Sequence, residues 1–430
     1  MAFDARMPRR LLGMLRARLP ELGLDQLEDP RSSQGQRWRL APLLRAVLTG
    51  LLAGAHSLAE TEWVTETLSS AARRTLGIKR RVPDTTLRDL LCLLPQRAMR
   101  QSLHAMVRAA HRRHALEPNG LPFGVVAMDG KATALPSCDD YFAQRQSQNE
   151  GRLLVGLLRT MSCSLVSSRA RVCIDAVPIP ASTNEMGQFE ASLRGLMKTY
   201  RGLDLFRLVS YDAGACSESN AATIRELGLH YLLGLKSTQP SLLTEAQRLL
   251  GLLGPQQAAA QSEDAMGGGK RWIRRLYLSA EIAGFSGWEH VRTVLRVESE
   301  QLDAKGRRCA YENRYFLASL PISRLSASQW LLLVRRHWGV ENNCHHTLDA
   351  VLREDERPWI ETEPRGALAV LLLRRIAYNL LSLFRSVTQR SEEHRAMPWR
   401  TLIGYLRHAL AVRTLDDIVE LRARRRPLRE

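Results

Sequence analysis

The chain has 430 residues, 45% of them hydrophobic, and a formal net charge of +18 from 62 Lys and Arg against 44 Asp and Glu. That length calls for two or three domains and that apolar share supports a sizeable core, which excludes wholesale disorder. The basic excess points to a polyanion such as DNA or RNA, although an Arg-rich proteome would give the same balance.

At the start of the chain, residues 1–10 lack the apolar core and small-residue cleavage site of a secretory signal. Helical spacing is expected over 43–53, 57–76, 87–94 and 98–115, with Asp84 or Thr85 capping the third of these. Pro118, Asn119, Gly120 and Pro122 then punctuate the chain and predict a boundary. Beyond it, strands are expected at 123–128, 153–167, 171–179, 205–211 and 230–235, with helices at 184–200 and 219–227. Two of these strands end in a carboxylate, Asp129 and Asp212. Residues 254–269, with Gly267, Gly268 and Gly269, read as a loop. Alternation over 274–282, 290–298 and 311–320 predicts half-exposed strands. Helix returns from Ser328, through 330–353, and in a long apolar stretch over 367–386. Apolar runs such as 367–373 stop at charges, here Arg374 and Arg375, short of the ~20 residues of a membrane span. The seven cysteines are scattered without a CxxC pair, so neither a disulfide framework nor a zinc ribbon is expected, and the setting reads as reducing and cytoplasmic. The positive charge recurs at 9–18, 79–81, 270–275, 335–336, 374–375 and 422–426, which suits contact with an extended ligand at several points.

The candidates for chemistry are Asp129, Asp212 and Glu341. Carboxylates at the ends of neighbouring strands project into a common crevice, and few carboxylates suffice to hold Mg²⁺ or Mn²⁺. Either Asp also suits a cap or turn, and Glu341 also suits a solvated helix face. On a helix, His337, Glu341 and His345 lie four apart and share one face. HExxH is absent, which argues against a His/Glu zinc site. Trp338 is expected in core packing.

The segment His337-Trp338-Gly339-Val340-Glu341-Asn342, continued by His345, Leu348, Asp349, Glu354 and Asp355, resembles the HWxIEN signature of DDE transposases of bacterial insertion sequences. Asp129-Gly130-Lys131 is similar to the DGK motif of that family, and Tyr211-Asp212-Ala213 with 231–236 and Gln239-Pro240 to its DA…YLLxLKxxQP block. Asn184-Glu185 stands where the family has its NE pair. The likeness departs from the pattern at 132–135, 214–218, Cys344 and His346. It implies an α/β fold: a ribonuclease H-like catalytic core with a β-rich insertion, preceded by an α-helical N-terminal domain. The implied division is a helical DNA-binding domain at 1–120, core at 121–252, insertion at 253–322, helical remainder of the core at 323–390 and basic tail at 391–430. It further implies Asp129, Asp212 and Glu341 as catalytic and metal-holding residues, with two ions, Mg²⁺ or Mn²⁺, as the cofactor. Lys131, Lys236, Arg336, His337, Asn342 and His345 are the expected DNA contacts. The implied partner is double-stranded DNA, as element terminal repeats and target, with no membrane, a homodimer assembled on DNA, and a bacterial, nucleoid-associated location.

Overall fold

In the computed structural model, residues 4–136, 143–147 and 154–411 are described; the basic run at 422–426 lies outside them. The first quarter of the chain is helical: α1 (Met7–Arg18), α2 (Leu40–Leu52), α3 (Leu58–Glu66), α4 (Ser70–Leu76), α5 (Asp84–Leu93) and α6 (Gln96–Arg112). The single helix expected over 57–76 is two. Ser57 accepts from the Glu60 amide and Ser69 from the Ala72 amide, so each serine starts its own helix. Between them, Leu68 leaves the helix to bridge Ala411. α5 begins at Asp84 rather than being capped by it, and Glu62 of α3 accepts from the Asp84 amide at 2.9 Å.

One mixed sheet contains ten strands: β1 (Val125–Pro136), β2 (Ala143–Ser147), β3 (Leu154–Leu165), β4 (Cys173–Pro178), β5 (Leu208–Tyr211), β6 (His230–Leu235), β7 (Ala260–Ala265), β8 (Arg271–Ser279), β9 (Thr293–Leu302) and β10 (Arg308–Ala318). Their order is β2-β3-β1-β5-β6-β10-β9-β8-β7, with β4 on β3. β1, β5 and β6 run parallel; the remaining pairs are antiparallel. Three sequence expectations are corrected. β1 does not stop at Asp129-Gly130 but runs to Pro136, because Gly130 pairs with Met161 of β3. The expected loop at 254–269 holds β7, whose polar residues gain their place by pairing with β8. β9 is not half-exposed: its polar face is buried too, with Arg296 stacked 3.9 Å from the Tyr277 ring centroid and Arg275 2.6 Å from Glu298. Strands β7 to β10 extend the same sheet beyond β6.

Strand alternation sorts the two faces. Val126, Met128 and Val209 pack with Phe189 and Leu193 of α7 (Glu185–Thr199), Ile224 of α8 (Glu218–Glu226) and Leu242 of α9 (Pro240–Leu250). Val125, Ala127, Leu208 and Leu232 pack with Trp330, Leu333 and Val334 of α10 (Ala327–His337). By the same period of two, Asp129 and Asp212 belong to the α10 face.

After α10, a π-helical turn (Val340–His345) interrupts what was expected to be one helix over 330–353, and a short α11 (His346–Ala350) follows. α12 (Pro364–Leu383) then fills the centre of the helical core with Leu43, Leu44, Leu87 and Leu103 around it. Two shorter helices, α13 (Glu392–Arg395) and α14 (Trp399–Leu410), close the described chain. Together with the π turn after it, α12 is long and apolar enough to cross a membrane, yet its most apolar window is wholly buried inside the protein. The apolar stretch is thus longer than its arginines suggested. Arg375 is paired with Glu354 at 2.6 Å, both side chains fully buried, and Arg374, its pKa lowered to about 10 by burial, lies 5.6 Å from the Trp359 ring.

Helices and sheet are joined at β4. The Asn379 amide of α12 accepts from the Cys173 amide at 2.8 Å and donates to the Cys173 carbonyl at 2.6 Å, satisfying strand-edge groups that would otherwise be orphaned. Asp175 is buried and receives both ends of the Arg100 guanidinium, at 2.9 and 2.6 Å, with His104 Nε2 3.1 Å away. Burial alone would raise the Asp175 pKa; Arg100 and His104 outweigh it and hold the carboxyl well below its ordinary range. A carboxylate depressed on folding gives stability that is complete above its unfolded pKa, about 4, and is lost as pH falls below that value. Asp175→Asn is therefore expected to flatten the acid side of the stability–pH curve, measured by urea unfolding between pH 3 and 7, while lowering stability at neutral pH.

Candidate active site

The parallel pairing of β1 and β5 matches Val125 with Leu208, Val126 with Val209 and Ala127 with Ser210. Continued by one period of two, this register sets Asp129 against Asp212. Here the strands part: β1 stays with β3, while the chain after Tyr211 enters a 3₁₀ turn at Ala213–Ala215. Asp212 caps that turn by accepting from the Gly214 amide at 2.8 Å. On β6, Gly234 lets the turn lie close, since a Cβ there would stand 2.9 Å from the Ala213 amide nitrogen. The gap between the strand ends is the crevice, and the π turn carries Glu341 to it.

A cavity of about 730 Å³ is lined by Asp212, Lys236, Arg314, His337, Trp338 and Glu341, among others. Asp129 stands beside it, its Oδ2 3.3 Å from His345 Nδ1. The Glu341 carboxyl is raised above its ordinary pKa, first by desolvation, then by the Asp129 charge, with a smaller contribution from Asp212. The three carboxylates thus feel one another. The Glu341 side chain makes no hydrogen bond or ion pair among the described residues. Three carboxylates with oxygens to spare are the donor set a hard divalent cation takes.

His337 and His345 both face this region, and their surroundings shift them in opposite directions. His337 is buried against Phe316, 2.5 Å from Ser210 Oγ, and burial lowers its pKa to about 4, so it is neutral near pH 7. Burial also opposes a charged His345, but Asp129 outweighs it and raises the pKa. The six expected DNA contacts are divided among four places. Lys236 and His337 line the carboxylate cavity. His345 touches Asp129. Arg336 and Asn342 line a separate cavity. Lys131 does not face a solvent-borne ligand: its ammonium is buried between Asp349 (2.8 Å) and Asp355 (3.0 Å). Trp338 borders both cavities and carries the Arg314 guanidinium 4.6 Å from its ring centroid.

Glu185 is not among the expected site residues, although its motif is visible in the sequence. It accepts from the Gly130 amide at 2.9 Å and from the Tyr211 hydroxyl, and so ties the residue after Asp129 to the residue before Asp212. Arg314 of β10 and Ser210 of β5 carried no signal, because their partners lie far along the chain. A second carboxylate group, Asp349, Glu354 and Asp355, has ligand atoms within 4.8 Å of one another.

Residues 124–380, from the start of β1 into α12, match the Transposase DDE domain family. The chain belongs to this family. Over 398 residues it is 24% identical to “Putative protein YbfL” and to “H repeat-associated putative transposase YhhI”, both of Escherichia coli (strain K12). Each alignment covers 88% of this chain and 95% of the relative.

Two expectations follow for this member of the family. A Cβ at Gly130 would overlap the Glu185 carboxylate, so Gly130→Ala is expected to cost about 1–3 kcal/mol of stability, read from denaturant midpoints. Glu354→Gln leaves Arg375 buried without its anion and is expected to cost about 3–5 kcal/mol in the same measurement; a neutral result would show that Glu354 is available for other work.

Proposed function

We propose that the chain is a transposase that cleaves DNA at the ends of an insertion sequence and joins the freed ends to target DNA, on a ribonuclease H-like core. The convergence of Asp129, Asp212 and Glu341 at the parting of β1 and β5 carries this reading. In this reading the helices of 1–120 and the basic tail serve DNA binding, 253–322 is an insertion in the core, and two chains act together on double-stranded DNA.

Asp129, Asp212 and Glu341 would hold the divalent cations, two Mg²⁺ or Mn²⁺. When bound, such a pair supplies Lewis acidity at the phosphate and a water acidic enough to attack it. The protein's own groups orient and balance. His345, favoured as a cation by Asp129, holds that carboxylate in place. Neutral His337 fixes its ring against Ser210 and offers no charge to the phosphate. Lys236 and Arg314 border the cavity and supply the positive charge that a scissile phosphate needs. Water attacks the phosphorus and one strand's 3′-oxygen leaves as a 3′-hydroxyl; that hydroxyl then attacks the phosphorus of a target phosphodiester, whose P–O bond to the target's own 3′-oxygen breaks and releases a target 3′-hydroxyl.

Glu341→Gln keeps the side chain's size and removes its charge. Mg²⁺-dependent nicking of a DNA end is expected to fall by orders of magnitude, while the binding isotherm of the same DNA is unchanged or tighter. Equal nicking by both proteins would remove Glu341 from the reaction. Nicking by neither, with DNA still bound, would support a non-catalytic DNA-binding protein instead. Binding is also expected to weaken steeply with salt as Lys and Arg release phosphate counterions; an affinity nearly flat between 50 and 200 mM salt would count against DNA as the partner.

A further inference from the structure

Across Trp338 from the carboxylates lies the second cavity, about 360 Å³, with Arg171, Arg274, Arg335, Arg336, Asn342 and Asn343 in its wall. Its charge is one-sided. Asp264 pairs with Arg274 at 2.5 Å and with Arg335 at 2.8 Å, and no carboxylate lines the cavity itself. Arg171 donates to the neutral Asn343 amide oxygen at 2.5 Å and leaves its Nε unpartnered. Arg336 is 8% exposed, its Nε has no acceptor, and it makes no hydrogen bond or ion pair among the described residues. A buried guanidinium without an anion, beside other guanidiniums, is an unfavourable arrangement for the protein alone.

We propose that this arginine cavity binds a phosphate group, specifically one backbone phosphodiester of a bound DNA strand, at a site separate from the carboxylate crevice. The DNA part rests on the function proposed above. Guanidinium forks match the spacing of phosphate oxygens and make charge-assisted hydrogen bonds to them. The wall offers donors in excess of acceptors, which suits a phosphate better than a base edge. Burial first, then the neighbouring Arg171 and Arg335, lower the Arg336 pKa to about 10, the direction expected of a cation awaiting an anion. Arg336 stands in the last turn of α10, where the helix dipole favours a cation, but it hydrogen-bonds no carbonyl among the described residues, so its donors stay free for an anion.

The test uses the full chain, as wild type, Arg336→Gln and Arg336→Lys, without divalent metal. Thermal unfolding is followed with and without inorganic phosphate, with NaCl matching the ionic strength, and duplex DNA affinity is followed against salt. Phosphate is expected to raise the wild-type Tm by at least about 2 °C. Arg336→Gln should raise the Tm without phosphate, because like-charge crowding is relieved, and lose most of the phosphate increment. Arg336→Lys, which keeps the charge and loses the fork, should fall between them. The slope of log affinity against log salt should drop by about 1 in Arg336→Gln. A lower Tm with the phosphate increment intact overturns the proposal. Loss of the increment with an unchanged salt slope overturns its DNA part and leaves a site for free phosphate. A wild type that shows the increment but binds no duplex sinks the proposed function and not the phosphate site. If Arg336→Gln does not fold, Arg171→Gln takes its place with the same readouts.

Discussion

Three carboxylates do not gather by attraction. Like charges about 4 Å apart in surroundings of effective dielectric near 20 repel by about 4 kcal/mol, so every element around the crevice has to hold Asp129, Asp212 and Glu341 against their own repulsion. The parallel register of β1 and β5 fixes the first two. Glu185 clamps the adjoining residues through Gly130 and Tyr211, itself an anion that hydrogen bonds from neutral donors rather than a salt bridge keep in place. Gly234 admits the turn behind Asp212. Only His345, beside Asp129, offers direct relief as a potential cation among the close contacts. The Glu341 carboxyl is raised first by desolvation and then by the Asp129 charge, which His345 and Arg314 offset only in part.

The helical half bears on the site through α12. This helix is the shared wall between the N-terminal helices and the sheet. Its polar residues are placed where they stitch the two together: Asn379 to the Cys173 backbone and Arg375 to Glu354. Glu354 follows the signature segment in sequence, so the Arg375 pair also fixes where the π turn and α11 end. Asp175, on the same edge strand as Cys173, takes a third stitch from α6 through Arg100. The carboxylate face and the helical core are therefore one mechanical unit, although they share no sequence pattern.

What was readable in the sequence was local. Apolar runs disclosed β5 and β6 because both faces of these strands are buried, and the carboxylates at 129, 212 and 341 stood out by motif. What depended on distant partners was hidden. Asp129-Gly130 looks like a strand end, and only pairing with β3 carries β1 through it. β7 has no apolar alternation, since Gln261, Glu263 and Asp264 meet their partners on β8 and α10. Lys131 looked free beside Asp129, but its anions, Asp349 and Asp355, come from more than two hundred residues away. Neighbours in the signature were also separated: the helix directs Arg336 and His337 to different cavities, a division that spacing alone did not assign.

The two carboxylate groups of the structure differ in what balances them, and that difference separates scaffold from chemistry. Asp349 and Asp355 share the Lys131 ammonium, and Glu354 receives both ends of the buried Arg375 guanidinium. Each of these carboxylates thus already has a cation in contact, and an ion arriving there would have to displace Lys131 or leave Arg375 unpaired. Asp129, Asp212 and Glu341 have no lysine or arginine in salt-bridge contact among the described residues. A fold that pairs its structural acids this closely, yet leaves these three out of salt-bridge contact even with Lys236 and Arg314 of the same cavity wall, has kept charge that an external cation would balance. The same reasoning with the sign reversed applies to Arg336, a buried cation without an anion on the other side of Trp338. The uncompensated charges, negative and positive, lie on either side of one tryptophan, and in the proposed function DNA with bound divalent cations would supply the opposite of each.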